Sequence, residues 1–240
     1  MKLKAQQGSA ILKILLTLVL AGSLIASYAY GKPRDKDRWD SKYDQEAYIF
    51  GRTPVAFLKN NVHLLPKGKV LDLAMGEGRN GVFLATQGFE VVGWDISEVG
   101  LQKAHQLAQA HGVKIETRVV DLETAQFEKN AYDVILIMYY MQRNLFPKIM
   151  EALKPGGMAM IETYNTDYLK YARFNKKYLL EPNELLEHFK DFKIIRYQAF
   201  DDGKEAYSSI IVQNHSLSGS SGTLAGEAPG LKGSHSHGGQ

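Results

Sequence analysis

The chain has 240 residues, of which 45% are hydrophobic and 23% are charged, as is ordinary for a globular protein. This length accommodates one good-sized domain with appendages. The sequence contains no cysteine, which excludes disulfides, thiolate zinc sites and cysteine nucleophiles. The net charge is +3 and the basic residues are scattered, so we expect no nucleic acid partner. We also expect no metal site.

The N-terminal segment, residues 1–31, contains an uncharged apolar run over residues 14–31. At a rise of 1.5 Å per residue, such a helix is about 27 Å long, which just spans a bilayer. It could be an uncleaved membrane anchor or a secretory signal, with cleavage near residues 27–29. Three lysines precede the run, and five Lys or Arg follow within residues 32–42. This asymmetry favours an anchor with the following domain in the cytoplasm, and export after cleavage remains the alternative.

Residues 32–50 are rich in charge, which is typical of a solvated linker. Four aromatic residues interrupt this segment: Trp39, Tyr43, Tyr48 and Phe50. They could dock the segment onto the domain or form a lid over a ligand. Thr53 and Pro54 then predict the cap and first turn of a helix that ends near Asn61.

Residues 51–214 alternate between predicted strands and helices. The predicted strands are 69–73, 90–95, 114–120, 132–139, 158–164, 193–200 and 206–213. The predicted helices are 79–87, 97–111 with Ser97 as its cap, 143–153 and 182–190. This order predicts an α/β domain with a doubly wound, mostly parallel seven-stranded sheet and a C-terminal antiparallel hairpin, preceded by the N-terminal apolar helix. Residues 215–240 are rich in Gly and Ser and predict a flexible tail.

The most informative stretch is residues 70–81, which predicts a buried strand, a glycine-rich turn and the first turn of a helix. Asp72 stands near the end of the strand, and Gly76 and Gly78 allow a sharp turn and close approach of a ligand. Residues 76–81 match the dinucleotide pattern G-x-G-x-x-G, in which Asp95 could hold a ribose. Three residues separate Asp72 from Gly76, however, whereas dinucleotide glycines follow their strand almost at once. The spacing therefore departs from the dinucleotide pattern.

Four separated motifs resemble the Rossmann-like (class I) methyltransferases that use S-adenosylmethionine (SAM). They are residues 70–81, 95–97, 121–122 and 153–157. Within that family, residues 72–80 look most like the tellurite-resistance methyltransferase branch. The chain departs from it at Met75, where many relatives carry cysteine, and at Ala74, where the wider family often has glycine.

The resemblance implies a SAM site in this sequence. Asp72 would hold the amino group, Asp95 the ribose hydroxyls and Asp121 the adenine amino group. Ile96 and Leu122 would cover the adenine, and Met138 would lie beside the transferred methyl. The full set of implied cofactor residues is Asp72, Ala74, Gly76, Gly78, Asn80, Asp95, Ile96, Asp121, Leu122 and Met138.

Candidates for the methyl-acceptor side follow strands 4 and 5. They are Tyr139, Tyr140, Arg143 and Tyr164 as possible catalytic residues, with Asn165, Tyr43 and Tyr48 nearby. Since no His or Glu stands in an obvious base position, we expect a small, soft nucleophile, such as a thiol or a chalcogen oxyanion. Alternatives are a lipid-soluble acceptor at the membrane, a non-catalytic SAM-binding protein and a nicotinamide oxidoreductase.

Overall fold

The structure is a computed structural model that describes residues 33–215. The apolar run of residues 14–31 lies outside the described residues, as does all but the first residue of the predicted tail. Within residues 33–215, no helix is both long enough and apolar enough to cross a bilayer.

Seven strands form one sheet in the order β3-β2-β1-β4-β5-β7-β6. The strands are β1 Lys69–Leu73, β2 Glu90–Asp95, β3 Glu116–Val119, β4 Tyr132–Met138, β5 Leu153–Tyr164, β6 Lys193–Asp201 and β7 Ala206–Gln213. The first five are parallel, and β7 is antiparallel to both β5 and β6. This confirms the mostly parallel sheet with its C-terminal antiparallel hairpin.

Among residues 33–215, six α-helices lie between and around these strands. They are α1 Pro33–Tyr43, α2 Ala56–Asn61, α3 Arg79–Thr86, α4 Glu98–Ala110, α5 Leu145–Ala152 and α6 Glu184–His188. Short 3-10 helices occupy Val62–Leu64, Thr166–Lys170 and Lys176–Tyr178. Ser97 caps α4 as predicted, because its hydroxyl oxygen accepts a hydrogen bond from the Gly100 amide at 3.0 Å.

Both faces of the sheet are buried, as a doubly wound parallel sheet requires. Successive β1 residues point to opposite faces, so Val70 joins the core beneath α3 and α4, while Leu71 joins the core beneath α5. Both side chains are fully buried. The strand order reverses between β1 and β4, so the crevice at the carboxyl ends of these strands is where a doubly wound sheet binds ligands.

Three local predictions need correction. Residues 33–43 form helix α1 rather than a linker, because contacts with distant parts of the domain hold them in place. Helix α2 begins at Ala56 after Val55 and has no side-chain cap, so Thr53 does not cap it. Strand β5 begins at Leu153, since the turn around Gly156 exchanges backbone hydrogen bonds with Asn214 and thereby extends the sheet.

Candidate functional site

The glycine-rich loop leaves β1 at the carboxyl edge of the sheet and turns tightly into α3. Ala74, Gly76 and Gly78 have φ angles of +53°, +56° and +85°, in the left-handed region that disfavours side chains. A Cβ on Gly78 would also lie 2.6 Å from the Cβ of Ala104 on α4. The loop thus follows a path that needs glycine at residue 78, where α3 packs closely on α4.

Asp72 is the first of three carboxylates around this loop. It is only 2% exposed, and its Oδ2 atom has no hydrogen-bond partner among residues 33–215. Burial raises the pKa of the Asp72 carboxyl to about 7; the Gly81 backbone amide opposes this shift, and the carboxylate of Asp95 adds to it. A buried acceptor without a donor is costly, so Asp72 is suited to a bound cation or N–H donor.

Asp95 ends β2 and holds the loop directly. Its Oδ2 accepts a hydrogen bond from the Gly76 amide at 2.7 Å, and its Oδ1 accepts one from the Ser97 amide at 2.8 Å. Burial raises the pKa of Asp95 to about 6 despite these hydrogen bonds. A carboxylate has about four lone-pair sites, so Asp95 can still accept hydrogen bonds from a ligand. Ile96, beside it, is half-buried.

Asp121 follows β3 and provides the third carboxylate. Its Oδ1 accepts a hydrogen bond from the Glu123 amide at 2.9 Å, whereas its Oδ2 is buried and has no partner among the described residues. Leu122 and Met138 are both buried, the former in the core beneath α5 and the latter in the core beneath α3. The carboxyl edge of the sheet thus presents two unsatisfied acceptors, at Asp72 and Asp121, with Asp95 between their strands.

Asn80 has a structural contact that the sequence did not predict. Its Oδ1 accepts a hydrogen bond from the Val55 amide at 3.0 Å, and its side chain is buried. The structure therefore assigns Asn80 to the junction between the loop and α2.

Residues 33–50, which we call the covering segment, lie over the glycine-rich loop. A Cβ on Gly76 would lie 2.7 Å from the hydroxyl oxygen of Tyr43, and the Tyr43 ring packs on Gly100 of α4. Trp39 stacks on the Tyr43 ring at 5.5 Å, and Phe50 meets its edge at 6.4 Å. The aromatic residues of this segment thus dock it beside the loop.

A buried lysine fastens the covering segment. The Nζ atom of Lys103 lies 2.6 Å from Glu77 Oε1 and donates to the carbonyls of Tyr43, Gln45 and Ala47 at 3.2, 2.8 and 2.7 Å. The hydroxyl of Tyr48 in turn donates to the backbone carbonyl of Lys103 at 3.0 Å. Glu77 belongs to the glycine-rich loop itself, so one ion pair joins loop, helix α4 and covering segment.

Aromatic side chains cluster around Tyr139, which follows β4. The members of this aromatic cluster are Tyr139, Tyr164, Tyr168, Phe174, Phe200 and Tyr207, with ring centroids 4.2–6.3 Å apart in the pairs that touch. Burial raises the pKa of Tyr164 to about 12. The guanidinium of Arg79, in the first turn of α3, lies 5.9 Å from the centroid of the Tyr139 ring. The aromatic cluster therefore adjoins the loop.

Glu162 lies within this region, although the sequence suggested no Glu or His there. It is 1% exposed, and its Oε2 accepts a hydrogen bond from Ser209 at 2.6 Å. Its backbone carbonyl accepts a hydrogen bond from the Tyr139 amide at 2.7 Å. A lone Glu in the apolar strand of residues 158–164 was the available signal, because a strand that is buried on both faces rarely accepts a charge.

The other acceptor-side candidates have structural contacts. The Tyr140 hydroxyl donates to Gln142 Oε1 at 2.6 Å, and Asn165 caps the 3-10 helix that follows it. Arg143 pairs with Glu184 and donates to the carbonyls of Lys177 and Leu179 at 2.8 Å each. These donors of Arg143 hold the segment before α6, and a role for Arg143 in the reaction stays a prediction.

Comparison with known proteins gives concordant matches. The family model described as "Tellurite resistance protein TehB" matches residues 33–204. The probable S-adenosyl-L-methionine-dependent methyltransferase TehB of Haemophilus influenzae is 28% identical over 137 residues, which are 54% of this chain and 47% of that protein. A ubiquinone biosynthesis O-methyltransferase of Idiomarina loihiensis is 30% identical over 117 residues, 46% of this chain and 48% of that protein.

Among solved structures, the crystal structure of TehB from Haemophilus influenzae superposes with a TM-score of 0.58 at 21% identity. The match covers 75% of this chain and 66% of that chain, and it shows a shared fold. The chain spans about half the length of the curated relatives it matches.

Proposed function

Because the chain belongs to the tellurite resistance protein TehB family, a family of SAM-dependent methyltransferases, we propose that it methylates a small, soft nucleophile such as a thiol or a chalcogen oxyanion. The observation that carries the proposal is the pair of buried, unsatisfied carboxylate oxygens on Asp72 and Asp121. They lie at the tips of strands that flank β2, whose own tip carries Asp95. SAM brings the hydrogen-bond donors that these acceptors lack.

Each carboxylate suits one part of the cofactor. Asp72 would pair with the ammonium group, which would favour its ionised form despite burial. Asp95 would accept hydrogen bonds from the ribose hydroxyls, and Asp121 would accept one from the adenine amino group. When bound, SAM supplies a methyl group already activated on a sulfonium. The task of the chain is therefore to align the acceptor and to exclude water.

The position of the covering segment is consistent with the exclusion of water from the site. Tyr43 lies against the loop and is itself 5% exposed, so it shields the loop from solvent on that side. Water exclusion strengthens electrostatic contacts inside a site. The aromatic cluster offers an apolar surface beside the loop, which suits a polarizable acceptor such as a thiol.

Two measurements test this proposal. Calorimetry should detect binding of SAM and S-adenosylhomocysteine and no binding of NAD(H). A screen of thiols, selenite, tellurite and phenols should then find release of S-adenosylhomocysteine with at least one soft nucleophile. Tight binding without turnover of any acceptor would instead identify a non-catalytic SAM-binding protein.

A lipid-soluble acceptor is the second candidate, and the aromatic cluster favours it. Phe174 and Phe200, at its outer side, are 42% and 37% exposed, so they present apolar surface to solvent. One relative acts, by its name, in ubiquinone biosynthesis as an O-methyltransferase. Faster turnover of a phenolic quinone precursor in detergent micelles than of any water-soluble thiol would establish this alternative.

We also propose that the apolar run of residues 14–31 anchors the protein in a membrane with the domain facing the cytoplasm. The support is the uncharged length of the run and the excess of basic residues that follow it. Protease added to spheroplasts should leave the domain intact, whereas digestion from the outer side would contradict this orientation.

A further inference from the structure

The carboxylate of Asp121, in the turn after β3, has one oxygen that is hydrogen-bonded and one that is not. Its Oδ1 accepts a hydrogen bond from the Glu123 amide at 2.9 Å, whereas its Oδ2 is buried and has no partner within residues 33–215. The hydrogen bond to Oδ1 limits the rotation of the carboxylate, because both oxygens belong to one planar group. The direction in which Oδ2 faces therefore depends on the peptide unit that joins Leu122 to Glu123.

Gln142 holds that same peptide unit at its other end. Its Nε2 atom donates to the Leu122 carbonyl oxygen at 3.2 Å. The Leu122 carbonyl and the Glu123 N–H belong to one rigid plane, so a hydrogen bond to the first also sets the direction of the second. Gln142 follows β4, and β1 and β2 lie between β4 and β3 in the sheet. The contact thus joins two segments that the order of the strands keeps apart.

The side-chain amide of Gln142 is fully hydrogen-bonded. Its Nε2 also donates to Asn144 Oδ1 at 2.7 Å, and its Oε1 accepts from the Tyr140 hydroxyl at 2.6 Å. Both N–H groups of the amide therefore have an acceptor, and its oxygen has a donor. The reversed orientation would place the amide oxygen against the Leu122 carbonyl oxygen. Three hydrogen bonds thus fix the group that holds the Leu122 carbonyl.

Tyr140 is the first donor of this chain of hydrogen bonds. Its side chain is half-buried and packs against the core beneath α5. Burial raises the pKa of the Tyr140 hydroxyl, and the carboxylates of Glu123 and Asp121 add to the shift. The hydroxyl therefore stays protonated and donates to Gln142. Because hydrogen bonds in series polarise one another, the chain from Tyr140 to Asp121 is stronger than its separate bonds.

We propose that Tyr140 and Gln142 are positioning residues that aim the free oxygen of Asp121 at the exocyclic amino group of adenine. This inference rests on the proposed methyltransferase function and adds selection of the base to its cofactor site. A carboxylate oxygen accepts hydrogen bonds and donates none. It therefore binds the amino group of adenine and repels the oxo group that hypoxanthine carries at the same place. The chain of hydrogen bonds thus makes the site selective for adenine over hypoxanthine.

Two ligands that differ in the base measure this selectivity. S-inosylhomocysteine carries hypoxanthine where S-adenosylhomocysteine carries adenine. A hydrogen bond to a charged acceptor changes a Kd by about 10- to 150-fold. We therefore expect the wild-type chain to bind S-adenosylhomocysteine more tightly than S-inosylhomocysteine by about that factor. The ratio of the two Kd values is the quantity that the proposal predicts to change.

The test measures this ratio by calorimetry in variants of the full chain. Methionine has about the length of glutamine but forms none of its hydrogen bonds, so in Gln142→Met the ratio should fall by about tenfold, towards that of Asp121→Ala. Tyr140→Phe keeps the ring and removes one neutral hydrogen bond, so the fall should be smaller, about two- to tenfold. In both variants the change should come from weaker binding of S-adenosylhomocysteine.

Matched substitutions elsewhere provide the controls. Gln109 is exposed near the end of α4, and Tyr132 begins β4 at the opposite edge of the sheet. Gln109→Met and Tyr132→Phe should keep the wild-type ratio. When Asp121→Ala is already present, Gln142→Met should change the ratio no further, because the oxygen that it positions is absent.

The outcomes separate a positioning role from a purely structural one. A loosened turn weakens the binding of both ligands alike, so an unchanged ratio in Gln142→Met and Tyr140→Phe overturns the proposal. If Gln142→Met does not fold, the ratio in Tyr140→Phe decides alone. Equal binding of the two ligands by the wild-type chain also overturns the proposal and leaves methyl transfer standing. No binding of S-adenosylhomocysteine to the wild-type chain overturns the proposed function as well.

Discussion

Replacing Lys103 with Met should release the covering segment while leaving the sheet intact. The Lys103 side chain is nearly buried, and its ammonium contacts the Glu77 carboxylate and three carbonyls between residues 43 and 47. Methionine retains the length and apolar stem of lysine but donates no hydrogen bond. The substitution therefore removes the charge that joins the covering segment to the loop and leaves Glu77 as a buried carboxylate without its ion-pair partner.

The expected effect is large because one partner of a buried ion pair is lost. Such losses destabilise by about 3–5 kcal/mol. Since the covering segment contacts the domain along one face, we expect the loss to appear as local opening rather than global unfolding. A change of 3 kcal/mol shifts an opening equilibrium by more than about 100-fold. Amides that are hydrogen-bonded inside the segment, such as those of Asp44 and Gln45, should exchange faster by that factor.

Hydrogen exchange followed by mass spectrometry measures this opening peptide by peptide. Lys148→Met is the matched control, because its ammonium bonds one carbonyl, that of Ala125, at 2.8 Å. The double variant Lys103→Met with Glu77→Gln should recover part of the protection, since it removes the uncompensated charge. Unchanged exchange in residues 36–51 would refute the reasoning, as would equal acceleration in the peptides of β4 and β5.

Three further substitutions test the site. Asp95→Ala should raise the Kd for S-adenosylhomocysteine by about tenfold to several hundredfold, because hydrogen bonds to a charged group contribute about 1.5–3 kcal/mol each; an unchanged Kd by calorimetry would contradict this role. Burial raises the pKa of Asp72 to about 7 from an ordinary 3.8, so the folded state retains a proton that the unfolded chain releases. Its contribution to stability is present below about pH 4 and is lost as the pH rises to 7. In Asp72→Asn, the free energy of unfolding, measured by urea denaturation, should therefore decline less between about pH 4 and pH 7 than in the wild-type chain. An equal decline would contradict a raised pKa for the Asp72 carboxyl. Ala74→Gly should raise the free energy of unfolding by about 1 kcal/mol, because Ala74 has a φ angle of +53°. Ala85→Gly within α3 is the control and should lower the free energy of unfolding by about 0.5–1 kcal/mol. If both variants lowered the free energy of unfolding, the backbone at Ala74 would be unstrained.

The regular elements were predictable because their signals are local. The apolar strands β1, β2 and β7 have the predicted bounds, and the helix from Ser97 is present as predicted. In each case the pattern of apolar residues and the capping chemistry lie within a few positions along the chain. The positions of Asp72, Asp95 and Asp121 at successive strand tips follow from that alternation alone.

The covering segment could not be predicted in the same way. Residues 33–43 carry the charge of a linker, and the contacts that hold them as a helix are distant in sequence. Asp40 accepts a hydrogen bond from Ser97, 57 residues away, and Lys103 reaches three carbonyls of this segment from α4. Such pairings depend on the tertiary fold, which no local pattern encodes.

The acceptor side shows the same limit. Arg143 pairs with Glu184, 41 residues further along the chain, and no local pattern identifies that partner. Glu162 received no role, because a single Glu in an apolar strand has no motif around it. Its side-chain partner Ser209 lies on β7, and Tyr139, which bonds its backbone, follows β4, so only the strand order brings them together.

The central claim is that three strand-tip carboxylates and the glycine-rich loop hold one SAM molecule. Titration of S-adenosylhomocysteine into the full chain by calorimetry tests it most directly. The account predicts one binding site per chain, no competition from NAD(H), and weaker binding in Asp95→Ala. Binding of NAD(H) in place of S-adenosylhomocysteine, or no binding of either, would contradict it.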